Sequence, residues 1–304
     1  MFIVRYRNVI LSLLALLVIA AFVLVGTLGL HQSIDFTGGT EIEISYASST
    51  RPTVAGVSDK LGGLSLGTPL VQPVGDNALI IRTRALTEAE HSTVLSTLGA
   101  APANEMVKEE GYSSIGPSIG AELKRKAAWG IGLVILLIIL YVAFAFRKVG
   151  RIVPGWLYGI ITIITLVHDI AIPAGVFALL GYFYHVQIDA LFVTALLAIL
   201  GYSINDTIVV LDRVRENLNH ASPKEQEQNF PEIVGKSLRQ TYVRSINTSV
   251  TVLLVLLALI FVGSLATRFF AITLAIGVLA GTYSSILLAS PLLVLLQGLR
   301  KKKK

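Results

Sequence analysis

The sequence predicts an α-helical polytopic membrane protein of six transmembrane helices, with a small α+β, ferredoxin-like domain between the first and second helices. Three observations carry this. Apolar residues make up 54% of the 304-residue chain and charged residues only 14%. A soluble domain carries about 25% charge, so a water-soluble globule is excluded, and so much Leu, Ile and Val excludes disorder. Next, the charges leave six gaps, each wide enough for the ~20 apolar residues that cross the bilayer core as a helix. Finally, the long segment 30–126 is mostly polar and contains runs that alternate apolar and polar residues. There is no cysteine, which excludes disulfides, thiolate metal sites and a cysteine nucleophile.

The first span is Val9–Gly29, within residues 1–29. Its apolar run exceeds the ~7–15 residues of a signal-peptide core, and no Ala-x-Ala site follows, so it reads as an uncleaved helix. The segment 127–299 holds the other five. The second span is Ala127–Phe146 and the third Ile152–Tyr184, interrupted by His168 and Asp169. The fourth runs over Ala190–Leu211 and contains Asp206. A cytoplasmic loop, 212–243, leads to the fifth, bracketed by Arg244 and Arg268. The sixth runs over Phe269–Gln297, and a basic tail, 300–304, ends the chain.

Within 30–126, Thr40–Tyr46 alternates Ile42, Ile44 and Tyr46 with Glu41, Glu43 and Ser45, the pattern of a half-buried strand. Val54–Leu64 reads as a helix. Pro69–Pro73 and Ala78–Thr83 read as strands joined by a Gly75–Asn77 turn. Thr87 and Glu90 form a capping box that opens a helix to Leu98. A last strand near Glu105–Glu109 completes the β-α-β-β-α-β order of a split ferredoxin-like domain.

Lys and Arg set the orientation. With the N-terminus inside, sixteen lie on inner segments, among them Arg147, Lys148, Arg151 and Lys301–Lys304, against Arg268 alone on the short outer loops. Both termini are therefore expected in the cytoplasm of a bacterial plasma membrane, with 30–126 outside. The net charge of +6 is then a topology signal and not a nucleic-acid footprint.

An ionisable residue inside a span is costly and by default functional. Asp206 is too short to snorkel far; it faces either the bundle interior or water at the cytoplasmic end. Arg244 opens the fifth span with Thr248 on the same face. It is either a positive-inside anchor or, at a depth similar to Asp206, a fixed counter-charge that stays protonated. Separating such a pair would make the carboxylate release and take a proton in turn. Asp169 is either a second relay position or part of a structural pair with His168. Adjacent helical residues point about 100° apart, so those two are not expected to form one compact site, and two such ligands are too few for a metal. Thr273, Gly277, Gly281, Ser285 and Ala289 make a small-residue ridge suited to close helix packing. Asp35–Phe36–Thr37–Gly38–Gly39 joins the first span to the outer domain, where glycines permit unusual φ values and close backbone approach. No nucleotide loop of the G-x-x-x-x-G-K-[ST] type is present, nor a hydrolase triad or metal cluster, so an enzyme is not expected.

The runs DFTGG (Asp35–Gly39), SIGPSIG (Ser114–Gly120), GYSINDTIVVLDRVREN (Gly201–Asn217) and RSINTS (Arg244–Ser249) together resemble the SecF subunits of the bacterial SecD–SecF protein-export complex. The resemblance covers almost the whole chain. It implies membership of the resistance-nodulation-division superfamily of proton-driven machines, with Asp206 and Arg244 at the positions tied to proton passage. It implies SecD as partner, association with the SecYEG channel and with the accessory factors YidC and YajC, and unfolded preprotein as client. No cofactor is implied beyond the coupling ion, a proton or sodium. Two other readings stay open on the residues: half of a small-molecule transporter, and a non-pumping scaffold of the channel.

Overall fold

The computed structural model describes residues 2–47, 51–99, 107–146 and 153–302. The expectations that rest on Glu105, Arg147, Lys148, Arg151, Lys303 and Lys304 lie outside them. In chain order the elements are α1 (Phe2–Arg5), α2 (Arg7–Leu28), α3 (Ile34–Thr37), β1 (Gly39–Tyr46), α4 (Val54–Gly62), β2 (Leu70–Val74), β3 (Ala78–Thr83), α5 (Glu88–Leu98) and β4 (Val107–Ile115). They continue with α6 (Pro117–Ala145), α7 (Gly155–Tyr184), α8 (Ala190–His220), α9 (Pro223–Gln228), α10 (Phe230–Val262), α11 (Leu265–Ser284), a π-helical turn (Ser285–Ala289) and α12 (Ser290–Lys302). Two compact units result. One takes in the chain up to Leu30, Trp129–Val186 and Leu191 onward; the other is His31–Ala128 with Gln187–Ala190.

Among the described residues, six helices are long and apolar enough to cross a membrane: α2, α6, α7, α8, α10 and the compound helix from Thr267 to Arg300. Three of them outrun the apolar stretches that announce them. α6 starts ten residues before Ala127, where Glu122 and Lys126 pair across one turn at 2.8 Å, a spacing that supports a helix. α8 continues to His220, and α10 begins at Phe230. Hydropathy marks where lipid would end, whereas backbone hydrogen bonding decides where the helix ends. The core of this unit packs Phe146, Leu157, Tyr158 and Ile161 with Leu200, Leu211, Val234 and Leu293, all buried. Phe146 and Tyr158 stack with centroids 4.7 Å apart. Leu13, Leu16, Phe22, Trp129, Leu136 and Phe144 stay exposed on α2 and α6, as lipid-facing residues should.

The other unit is a four-stranded antiparallel sheet in the order β2-β3-β1-β4. With α4 and α5 it gives the split β-α-β arrangement. Ile42, Ile44, Leu79, Ile81, Val57, Leu61 and Val94 form its core, while Glu41 on the other face of β1 pairs with Arg82 at 2.5 Å. Thr87 and Glu90 make both bonds of the capping box, and Gly99 closes α5 in the left-handed region at φ 86°. The last strand is longer than its apolar pattern suggested. It runs to Ile115, and β1 pairs with it from Tyr46↔Val107 to Gly39↔Ile115, with a register shift between Glu43 and Ile44. Gly111–Tyr112–Ser113–Ser114 has no period-two pattern because its backbone pairing, not burial of alternate side chains, holds it in the sheet. The fold class the sequence predicts is thus the one observed.

Candidate functional site

Polar groups buried in the helical unit meet around two carboxylates. Asp169, on α7, is fully buried, and both of its oxygens are bonded. Oδ1 lies 2.8 Å from His168 Nδ1. Oδ2 accepts from Ser203 of α8 and from Ser284 of α11 at 3.0 Å. On the far side of the imidazole, Nε2 lies 3.2 Å from the Tyr283 hydroxyl, and the two rings meet edge to face with centroids 5.2 Å apart. His168 and Asp169 therefore do form one compact site, contrary to the expectation from their 100° helical offset. The two side chains bend toward each other because Tyr283 holds the imidazole while Ser203 and Ser284 hold the carboxylate. Pro173, one turn on within α7, has no N–H to offer the Asp169 carbonyl.

Asp206 is the opposite case. It is 5% exposed, and its Oδ2 has no hydrogen-bond partner, nor do the buried hydroxyls of Thr207 and Ser245. No hydrogen bond joins Ser245 of α10 to the carboxylate. Arg244 is exposed, and none of the ion pairs among the described residues involves it. Thr248 is also exposed, and its hydroxyl donates to the Arg244 carbonyl at 2.9 Å, so it is spent on its own helix. Among the described residues, no ion pair or hydrogen bond joins Arg244 to Asp206.

A hydroxyl chain links these helices. Ser249 of α10 lies 3.0 Å from the Tyr202 hydroxyl of α8 and 2.5 Å from Thr282 Oγ1 of α11, and it donates to the Ser245 carbonyl at 2.9 Å. The helices can approach this closely because α11 is bare where it meets α8. A Cβ on Gly277 would come within 2.1 Å of Ile199 Cδ1, and one on Gly281 within 2.9 Å of Ser203 Cβ. Ser285, the first residue of the π-helical turn, is buried and donates to the Thr282 carbonyl at 2.9 Å. Wide π turns often sit at functional sites, and here the turn directly follows the residues that bind His168 and Asp169.

In the other unit, Asp35–Gly39 is a packed joint. Ser33 caps α3 by accepting from the Asp35 N–H, Phe36 is buried, and the Thr37 hydroxyl donates to the Ser33 carbonyl at 3.0 Å. Gly38 has φ 73°, and a Cβ there would sit 2.7 Å from Pro117 Cα. Gly39 has φ 136°, and its Cβ would sit 2.6 Å from the Thr83 carbonyl. Both positions require glycine for conformation and for space.

Sequence reasoning passed over His168's partner Tyr283 and the hydroxyls of Ser203, Ser245, Ser249, Thr282 and Ser284. Two signals point to them: the polar run Thr282–Ser285 inside an apolar span, and Tyr202–Ser203 one turn before Asp206. No group of three His, Cys, Asp or Glu able to hold a metal occurs among the described residues.

The comparisons with known proteins agree with this architecture. The family described as "Protein export membrane protein SecD/SecF, C-terminal" matches residues 97–299, and the "SecD/SecF GG Motif" matches residues 23–50, which include Asp35–Gly39. The protein translocase subunit SecF of Thermobaculum terrenum is 38% identical over 302 residues, covering 96% of this chain and 92% of that protein. The protein translocase subunit SecDF of Thermus thermophilus is 36% identical over 287 residues, covering 90% of this chain but 35% of its own length. The crystal structure of SecDF from Thermus thermophilus, described as a translocon-associated membrane protein, matches with a TM-score of 0.83 at 31% identity. It covers 97% of this chain and 38% of that one. The chain therefore belongs to the SecD/SecF family of protein export membrane proteins, on the side of its SecF translocase subunits.

Proposed function

We propose that this SecF-family chain, with SecD, uses the proton motive force to promote late steps of preprotein export on the outer side of the bacterial plasma membrane. Both termini then lie in the cytoplasm and the α+β unit lies outside. The observation that carries the reading is the buried Asp206 carboxylate, whose Oδ2 has no hydrogen-bond partner inside an apolar helix. A structural carboxylate would be tied down, as Asp169 is; an untied one beside free hydroxyls suits a group that changes partners. A proton on Oδ2 removes the charge and gives Asp206 a donor for Ser245. Release of that proton leaves a carboxylate for which Arg244, the residue before Ser245 on α10, can serve as a fixed counter-charge. Thr248 holds the Arg244 backbone, and Asp169, tied to Ser203 of α8, stays fixed. Alternating pairing and separation would shift α8 against α10, and the glycines Gly277 and Gly281 would let α11 slide with it.

SecD enters as the partner because the SecDF relative carries both halves in one chain; SecYEG, YidC and YajC follow from the family resemblance. The test is Asp206→Asn in membrane vesicles containing SecD and the channel. The variant should assemble normally, yet export should no longer respond to an imposed proton gradient. Stimulation equal to wild type would leave the scaffold reading standing. Stimulation by a sodium gradient instead would change the ion and keep the site. Gradient-driven movement of a small solute without preprotein would support the transporter reading.

A further inference from the structure

The first turn of α8, the helix that carries Asp206, is held by a residue 155 positions earlier in the chain. Asp35 Oδ2 accepts the Ala190 N–H at 2.8 Å. Ala190 is the first residue of α8, so Asp35 caps a helix to which it does not belong. A carboxylate there satisfies one of the donors that a helix start leaves open and opposes the positive end of the helix dipole. The contact is reinforced on the preceding residues. Ile188 N–H donates to the His31 carbonyl at 2.7 Å, Ser33 N–H donates to the Ile188 carbonyl at 2.9 Å, and Gln32 and Ile188 form a parallel bridge. Gln187–Ala190 accordingly belongs to the same compact unit as His31–Ala128.

Asp35 is itself immobilised. Ser33 Oγ accepts its N–H at 3.2 Å. Behind it, Gly120 of α6 fits so tightly that a Cβ would come within 2.7 Å of Gly38 N and 3.2 Å of the Phe36 carbonyl carbon. The DFTGG loop thus gathers the start of β1, the first turn of α6 and the first residue of α8 into one joint, and its glycines provide close packing.

We infer that Asp35 is a positioning residue that fastens the start of α8 to the α+β unit, so that a displacement of α8 is delivered to that unit. The inference rests on the proposal that α8 moves when Asp206 changes its proton. Asp35 touches neither the coupling ion nor the client; it acts through the helix it caps.

The chain has no native cysteine, so a thiol-based test is clean. The readout is the ratio of export with a proton gradient to export without it, in vesicles containing this chain, SecD and the channel. Co-purification with SecD reports assembly. Asp35→Ala should assemble and bring the ratio down to about 1, whereas Asp35→Asn, which keeps an acceptor oxygen, should retain most of the wild-type ratio. A doubly substituted chain, Asp35→Cys with Ala190→Cys, should lose the ratio when reduced. It should regain it in the fraction that a short bismaleimide has joined, as read by mass. A merely structural role would not predict that a covalent tie restores gradient dependence. A wild-type ratio in Asp35→Ala, or a joined double variant that stays unresponsive, overturns the inference. Asp206→Asn run alongside reports on the proton site alone. Loss there with retention in Asp35→Ala sinks the coupling role and spares the proton site, while the reverse result sinks the proton site and spares the coupling role.

Discussion

Two aspartates lie buried in the same helical unit, and their surroundings differ in every respect. Asp169 is bonded to a histidine and two serines from three helices, whereas Oδ2 of Asp206 is bonded to nothing, with two unspent hydroxyls buried nearby. A satisfied buried polar network rigidifies a core and specifies its packing, whereas an unsatisfied polar group costs free energy. A fold retains that cost where the group has another state to visit. Asp169, with its full set of partners, marks where α7, α8 and α11 are locked together; Asp206 has an oxygen that no such bond holds.

The comparison breaks most easily at Asp169. Asp169→Ala leaves His168, Ser203 and Ser284 without their shared acceptor, and each buried polar group left unsatisfied costs about 1–3 kcal/mol. We expect a large drop in the thermal unfolding midpoint of the purified protein, while Asp206→Asn, which has no bond at Oδ2 to lose, leaves the midpoint near wild type. Equal midpoints in the two variants would erase the distinction.

A smaller effect is expected at Gly281. A Cβ there lies 2.9 Å from the Ser203 Cβ, so Gly281→Ala must push α11 away from α8 and loosen the Ser203–Asp169 bond. Overpacking of this kind costs about 1–3 kcal/mol. The midpoint should fall by less than in Asp169→Ala, and the two changes should not add, because they damage one network.

The smallest effect separates the α+β unit from both carboxylates. Glu90 is held at a pKa of about 2, first by the Arg84 guanidinium and then by the Thr87 backbone and hydroxyl. Its folded value lies below the unfolded one, so its contribution is complete above the ordinary carboxylate range and disappears as pH falls toward 2. The group is exposed and screened, so only a slight acid-side loss of α5 helicity is expected. Glu90→Gln should remove that pH dependence and leave the Asp169 and Asp206 phenotypes untouched.

Much of the architecture was legible in order along the chain. The six spans follow from charge gaps, the β1 strand from the alternation at Thr40–Tyr46, and the start of α5 from Thr87 and Glu90, because each depends on neighbours within a few residues. Asp206 and Asp169 stood out for the same reason, as carboxylates against an apolar background. Ser203, Tyr283 and Ser284 did not, since a hydroxyl in a span is common and becomes a ligand only when another helix brings it within 3 Å or so. The role of Asp35 was hidden for a related reason: the N–H it accepts belongs to Ala190.

By itself the sequence determined composition, span number, the order of strands and helices, and which few residues could carry charge within the membrane. Those properties arise from burial and hydrogen bonding that are local or averaged over a segment. Only the tertiary structure decided that His168 and Asp169 make one site, that Oδ2 of Asp206 is left unbonded, and that the DFTGG loop caps α8. Each of these depends on distances between segments far apart in the chain, and a difference of 1 Å there separates a bond from a free group.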